Sequence, residues 1–212
     1  MTKHLFSSIA LIILSIFIDS AHAKDPKIPK QLSKLIAMTP EDWINKTRLQ
    51  DDSLEVAARF DTALGFQEKQ GLLGVVWSDV FLRAYVNKKS GKTDYQVYFA
   101  TVTQGNSWPS FNEVNYQMRD DVESTELKKV GSNVDCALAR YGGCKYYEDV
   151  LFIPSREMLD FVAATYVQDA AIAWKMRLKG QSGQTMDMFV TPAEVKGLLM
   201  AVDSYKVKNN LQ

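Results

Sequence analysis

The residue types that most often carry out catalysis at neutral pH are scarce in this chain. Its two histidines, His4 and His22, both lie near the N-terminus. Histidine is the usual base in Ser-His-Asp and Cys-His catalysis and a common zinc ligand, because its pKa lies near neutrality. If the N-terminal segment is cleaved, no imidazole is left for these roles, and the sequence argues against these classes of enzyme and against a zinc centre.

The two cysteines, Cys136 and Cys144, are the next candidates for chemistry. Redox-active pairs mostly have two intervening residues, which helps to lower the pKa of one thiol. The separation here is longer, and Gly142-Gly143 between the cysteines allows a sharp turn. The spacing therefore predicts a structural disulfide that stabilises the fold by roughly 2–3 kcal/mol through ring closure. Such a bond leaves no thiolate for catalysis.

Other catalytic spacings are absent from the sequence. No serine has a lysine three positions on, and no nucleophile elbow, phosphate-binding loop or dinucleotide fingerprint occurs. Carboxylates brought together from distant strands, and tyrosine or lysine side chains with shifted pKa values, are the options that the sequence leaves open. We therefore predict no catalytic, cofactor-binding or metal-ligating residue and no cofactor.

The N-terminus has the pattern of a signal peptide. A basic start at Lys3 precedes the uncharged, mostly apolar run Leu5–Ile18, and Ala21-His22-Ala23 supplies a cleavage site. The apolar run is shorter than the roughly 18 residues of a spanning helix, so a retained membrane anchor is the weaker alternative. We predict cleavage between Ala23 and Lys24 and a periplasmic or secreted mature chain.

The charge balance argues against polyanionic partners. Cleavage of residues 1–23 removes Lys3 and Asp19 from totals of 25 basic and 25 acidic residues, so the mature chain remains neutral. A neutral chain with scattered lysines lacks the electrostatic footprint of a protein that binds nucleic acid or anionic membranes. No later apolar segment approaches spanning length, so we expect no membrane insertion after cleavage.

Helix and strand signals predict one domain, residues 39–212, behind a proline-containing leader, residues 24–38. Helices are predicted to start with capping patterns at Thr39-Pro40, Ser155 and Thr191-Pro192. Alternating apolar residues and intervening turns predict strands. These strands cover residues 55–66, 80–86, 94–103, 111–118, 126–130, 146–153, 171–179 and 185–190. The pattern indicates an α+β fold, a single domain in which an antiparallel β-sheet has helices packed on it.

Aromatic residues are the most prominent candidates for a binding surface. Alternation places Phe81, Arg83 and Tyr85 on one side of the strand 80–86 and its aliphatic residues on the other. Five aromatic residues raise the possibility of a carbohydrate or peptide platform, with core packing as the alternative: Trp77, Tyr85, Tyr98, Trp108 and Tyr116.

Two loops supply the predicted binding residues. Trp108 lies in a Gly-Asn-Ser-Trp-Pro loop, where we expect it to be exposed, and Arg140 and Tyr141 lie in the disulfide loop. Arginine and tyrosine are favoured at interface hot spots.

The sequence favours a non-catalytic binding module with a protein, peptide or glycan partner in the cell envelope. One alternative is a carboxylate-dependent hydrolase acting on a glycan. Another is an inhibitor or immunity-type protein acting through Arg140 and Tyr141.

Overall fold

The computed structural model describes residues 30–62, 65–70, 75–137, 140 and 143–211. The predicted signal peptide, residues 1–23, lies outside the described residues, and so does Tyr141. The end of the predicted leader forms a short helix, whose Leu32 and Leu35 are buried in the core. Packed structure therefore begins before residue 39, where the sequence placed the start of the domain.

Four helices occur among the described residues: α1 (Lys30–Ile36), α2 (Pro40–Lys46), α3 (Arg156–Ala164) and α4 (Pro192–Lys208). Helices α2, α3 and α4 start at the three predicted capping positions, and at α2 the Thr39 hydroxyl and the Asp42 carboxylate cap each other's backbone amides. None of the described helices combines the length and the hydropathy needed to cross a membrane.

Eleven strands occur in the described part of the chain: β1 (Thr47–Gln50), β2 (Ala57–Thr62), β3 (Phe66–Gln70), β4 (Val75–Asn87), β5 (Thr93–Gly105), β6 (Phe111–Met118), β7 (Asp121–Glu126), β8 (Lys128–Asp135), β9 (Cys144–Phe152), β10 (Trp174–Gly180) and β11 (Thr185–Val190). The predicted hairpins β4–β5 and β10–β11 are both present and antiparallel. No strand was predicted between residues 118 and 126, but the acidic stretch there forms strand β7 from Asp121 onward, where it pairs with β6.

The strands form two sheets instead of the one expected. Sheet A has the order β1-β2-β4-β5-β9-β8, and β3 pairs with the N-terminal part of β4. Sheet B has the order β11-β10-β6-β7. The predicted α+β class is confirmed in its coarser form, as one compact domain that is mostly antiparallel sheet with four described helices.

A single hydrophobic core joins the two sheets and the helices. Phe152 of sheet A stacks on Tyr116 of sheet B, with ring centroids 5.5 Å apart, and Trp174 packs edge-on against both rings. Helix α4 contacts β2 and β4 of sheet A, and α2 and α3 pack on α4. The inner face of sheet A is thus covered by sheet B and by helix α4.

The predicted disulfide between Cys136 and Cys144 is confirmed. It joins the end of β8 to the start of β9, and β8 is the edge strand of sheet A. The bond therefore closes the loop of an edge hairpin that would otherwise be held on one side only, consistent with the structural role that its spacing predicted.

Candidate functional site

The outer face of sheet A carries partly exposed aromatic and charged side chains. Along β4, Val80 and Leu82 are fully buried, whereas Phe81, Arg83 and Tyr85 alternate with them and are partly exposed. The sequence placed these three residues on one side of the strand, and the structure shows that this side faces away from the core.

Neighbouring strands extend this set sideways. The register places Asp61 of β2 opposite Arg83, and Tyr98 of β5 opposite Phe81. Directly opposed residues of an antiparallel pair project to the same face. We call the resulting surface the outer patch, and its members are Asp61, Phe81, Arg83, Tyr85, Tyr98 and Asp149.

The centre of the outer patch is a stack of two rings and a cation. Phe81 and Tyr98 have ring centroids 4.9 Å apart and planes inclined by 23°. The guanidinium carbon of Arg83 lies 5.3 Å from the Phe81 centroid and 5.1 Å from the Tyr98 centroid, within cation–π range. Each ring therefore has the other ring and a guanidinium as neighbours.

One carboxylate holds two arginines of this face in position. Asp61 accepts a 2.6 Å hydrogen bond from Arg83 Nε, and Arg59 Nε lies 3.1 Å from the second Asp61 oxygen. The Asp61 and Arg83 side chains retain only 13% and 17% of their exposure. Because the pair is half-buried, screening by solvent is weaker than at an exposed surface. Arg83 is therefore fixed over the rings before any partner arrives.

The hydroxyl of Tyr98 remains protonated at neutral pH. Burial raises the pKa of Tyr98, and the neighbouring Asp149 carboxylate raises it further. The protonated phenol donates its hydrogen bond to Asp149, so Tyr98 offers a partner chiefly its apolar ring.

A second carboxyl group, that of Asp79, lies in line with Asp149 of the outer patch. Ala100 of β5 lies between them, opposite Asp79 on one side and Asp149 on the other. Burial raises the pKa of Asp79 to about 6, and Gln67 donates a 3.4 Å hydrogen bond to it. Two carboxylates thus flank one small residue across three strands, about 10 Å apart at the backbone, which is two strand spacings.

The structure separates the five aromatic residues of the predicted platform. Tyr85 and Tyr98 lie on the outer face, and Tyr116 lies in the core, where it stacks on Phe152. The side chain of Trp77 lies outside the described part of the structure. Trp108 is half-buried instead of exposed.

Trp108 belongs to the core-facing side of sheet A. Its ring packs edge-on against Tyr146 at 5.0 Å, and Lys129 Nζ lies 5.3 Å from its centroid. Tyr146 lies two residues before the buried Glu148 on β9, so both project to the same side, away from the outer patch. The structure therefore does not bring Trp108 to the outer patch.

The disulfide loop adjoins the Trp108 loop. Strand β5 ends at Gly105, just before the Trp108 loop, and Gly105 pairs with Cys144 at the end of the disulfide loop. Arg140 lies in this loop, and Tyr141 beside it lies outside the described residues. The predicted set of Trp108, Arg140 and Tyr141 stays a prediction.

Asp61, Phe81, Arg83 and Asp149 were not predicted as site residues. The alternation of β4 identified the side of Phe81 and Arg83, but strand pairing decides which residues meet them. Asp61 lies 22 residues from Arg83 in the chain, so only the register shows that they form a pair.

No group of three or more histidine, cysteine or acidic side chains with metal-binding geometry occurs among the described residues. The chain matches no family model, no curated protein and no solved structure. The chemistry of the outer patch therefore carries the functional inference.

Proposed function

We propose that the mature chain is an exported, non-catalytic module that binds a protein partner through the outer patch. The observation that carries this proposal is the stack of Phe81, Tyr98 and Arg83 on the outer face of sheet A. Arginine and tyrosine dominate interface hot spots. Because Asp61 already holds Arg83 in place, little side-chain entropy is lost on binding.

A protein partner fits the outer patch better than a glycan. A neutral sugar has no carboxylate for a guanidinium to bind, and Phe81 and Tyr98 already turn one face of each ring toward the other, with Arg83 near both. What remains for a partner is the outward sides of the rings and the guanidinium N–H groups that Asp61 does not bind, because the Tyr98 hydroxyl is already hydrogen-bonded to Asp149. These groups suit the backbone carbonyls and carboxylates of a protein surface.

Export rests on the signal pattern of residues 1–23 and on the disulfide between Cys136 and Cys144. Disulfides persist in oxidising compartments and are rare in the cytosol. Intact-mass analysis of the protein from the envelope fraction should give a chain starting at Lys24 with no titratable thiol. A chain that retains Met1 or titrates two thiols would contradict export.

Site-specific photo-crosslinking tests the binding surface. Gln96 lies opposite Arg83 on β5, and Thr185 is an exposed residue of sheet B. With a photoreactive benzoyl-phenylalanine at either position in the producing cells, we expect a discrete protein adduct from position 96 and none from position 185. An adduct from position 185 alone would contradict the proposed surface.

The partner identified in that adduct then allows a quantitative test. Tyr85→Ala should weaken its binding by about 10-fold or more, the range of a hot-spot residue. Thr185→Ala should leave the affinity unchanged. Equal affinities for the wild type and Tyr85→Ala would count against the outer patch as the binding surface.

The hydrolase alternative is favoured by one observation, the row of Asp79, Ala100 and Asp149. Inverting glycosidases use two carboxyl groups about 6.5–9.5 Å apart, of which the acid has a raised pKa. The pKa of Asp79 is raised to about 6. Glycan turnover that Asp79→Asn and Asp149→Asn each abolish would establish catalysis and replace the proposed binding function.

A further inference from the structure

A cleft of about 220 Å³ lies at one end of sheet B, away from the outer patch. Its walls come from the end of β6, the start of β10, helix α3 and the segment between α3 and β10. Two stretches that are distant in the sequence, residues 117–119 and 161–175, therefore meet in it.

The floor of the cleft is apolar and held in place. Trp174, Val162 and Phe161 line it. The Trp174 indole donates a 3.1 Å hydrogen bond to the Gln117 carbonyl, and its ring packs edge-on against Tyr116. A floor fixed in this way offers apolar area to a ligand without first having to be ordered.

A cation stands at the rim of the cleft. Arg119 lies in the turn between β6 and β7, with a positive φ of 55°, and its guanidinium carbon lies 5.7 Å from the Phe161 centroid. No carboxylate in the described ranges, including its neighbours Asp120 and Asp121, lies within ion-pairing distance of Arg119. The other cation at the rim, Lys175, is paired with Asp187 at 3.0 Å.

We propose that this cleft binds a small carboxylate with an apolar body. The apolar part would rest on Trp174 and Phe161, and the carboxylate would pair with the guanidinium of Arg119. Arginine binds carboxylates through two parallel hydrogen bonds, so Arg119 would hold the charged end of the ligand while the apolar floor holds its body. Because an apolar cavity of about 150 Å³ holds benzene, this cleft has room for one ring and a short chain.

Calorimetric titration with two matched probes, 3-phenylpropanoate and the neutral 3-phenylpropanamide, tests the proposal on the full mature chain. The wild type should bind the carboxylate saturably and more tightly than the amide. Arg119→Gln should weaken binding of the carboxylate about tenfold, as expected for one charged hydrogen-bonded contact, and leave the amide unchanged.

Two further variants separate the cleft from other surfaces. Ala173→Phe places a ring in the cleft and should abolish binding of both probes, with far-UV circular dichroism showing that the variant folds. Arg48→Gln removes an exposed arginine of sheet A and should change neither affinity. The proposal is overturned if the wild type binds neither probe saturably, or if Arg119→Gln binds both probes as the wild type does.

Discussion

Glu194 shows how the tertiary environment changes the chemistry of a residue. It lies in the first turn of α4 and has no exposed surface. Its Oε1 accepts a 2.6 Å hydrogen bond from the Thr62 hydroxyl, and the Thr62 oxygen in turn accepts the Leu82 amide at 2.9 Å. Burial raises the pKa of Glu194 to about 8. The hydrogen bond from Thr62 opposes this increase, and the nearby Asp79 adds to it.

The raised pKa of Glu194 makes stability depend on pH. Folded Glu194 keeps its proton up to about pH 8, whereas the unfolded chain loses it near 4.5. The folded state therefore binds more protons between these values, and the free energy of unfolding falls as the pH rises through this window.

Glu194→Gln should remove this dependence, because an amide does not titrate. Relative to the variant, the wild type should lose stability on the order of a few kcal/mol between pH 4.5 and pH 8. Urea unfolding at a series of pH values measures the difference. Glu41→Gln, which removes an exposed carboxylate of α2, is the control and should follow the wild-type curve. If the free energies of unfolding of the wild type and Glu194→Gln differed by the same amount at every pH, Glu194 would have the same pKa in the folded and unfolded states, which would contradict this prediction.

At the scale of elements, close packing of α2 on α4 depends on one glycine. Gly197 is buried in the middle of α4, and a Cβ atom there would lie 2.5 Å from the Trp43 Cβ and 2.7 Å from the Pro40 carbonyl oxygen. Trp43 is itself completely buried. The two helices can therefore approach this closely only without a side chain at position 197.

Gly197→Ala should destabilise the protein even though alanine is the better helix former. The gain in helix propensity is about 1 kcal/mol, and we expect the clash with α2 to exceed it and leave a net loss of about 1–3 kcal/mol. Ser204→Ala, at an exposed position of the same helix, should stay within about 0.5 kcal/mol of the wild type. Chemical denaturation measures both changes, and a Gly197→Ala variant as stable as the wild type would contradict this packing.

At the scale of the whole molecule, the two sheets share one core. The rings of Phe152, Tyr116 and Trp174 cross the boundary between sheet A and sheet B, and Phe66 packs on Phe189 at 5.2 Å across the same boundary. Neither sheet can lose these contacts without exposing the aromatic residues of the other.

The shared core predicts one cooperative unfolding transition. Near-UV circular dichroism reports on the packed aromatic rings, and far-UV circular dichroism reports on the strands and helices. Because the same core supports both, the two signals should give the same midpoint in urea. Two separate midpoints would show that the sheets unfold as independent units.

Local patterns in the sequence predicted most of the elements but not their partners. The capping motif at Thr39 and the alternation of residues 80–86 depend on neighbours in the chain, and both were confirmed. The division into two sheets was missed, because a strand's own alternation does not specify which strand pairs with it. The outer patch was missed for the same reason, since Asp61 and Tyr98 reach Arg83 through strand pairing.

The sequence by itself determined the signal pattern, the neutral charge, the spacing of Cys136 and Cys144, and the starts of α2, α3 and α4. These depend on composition or on residues a few positions apart. The tertiary structure alone decided that Trp108 is half-buried, that Glu194 is protonated at neutral pH and that Arg119 stands over an apolar cleft. The physical reason is that burial and pairing are set by atoms far away in the chain, which only the folded arrangement brings into contact.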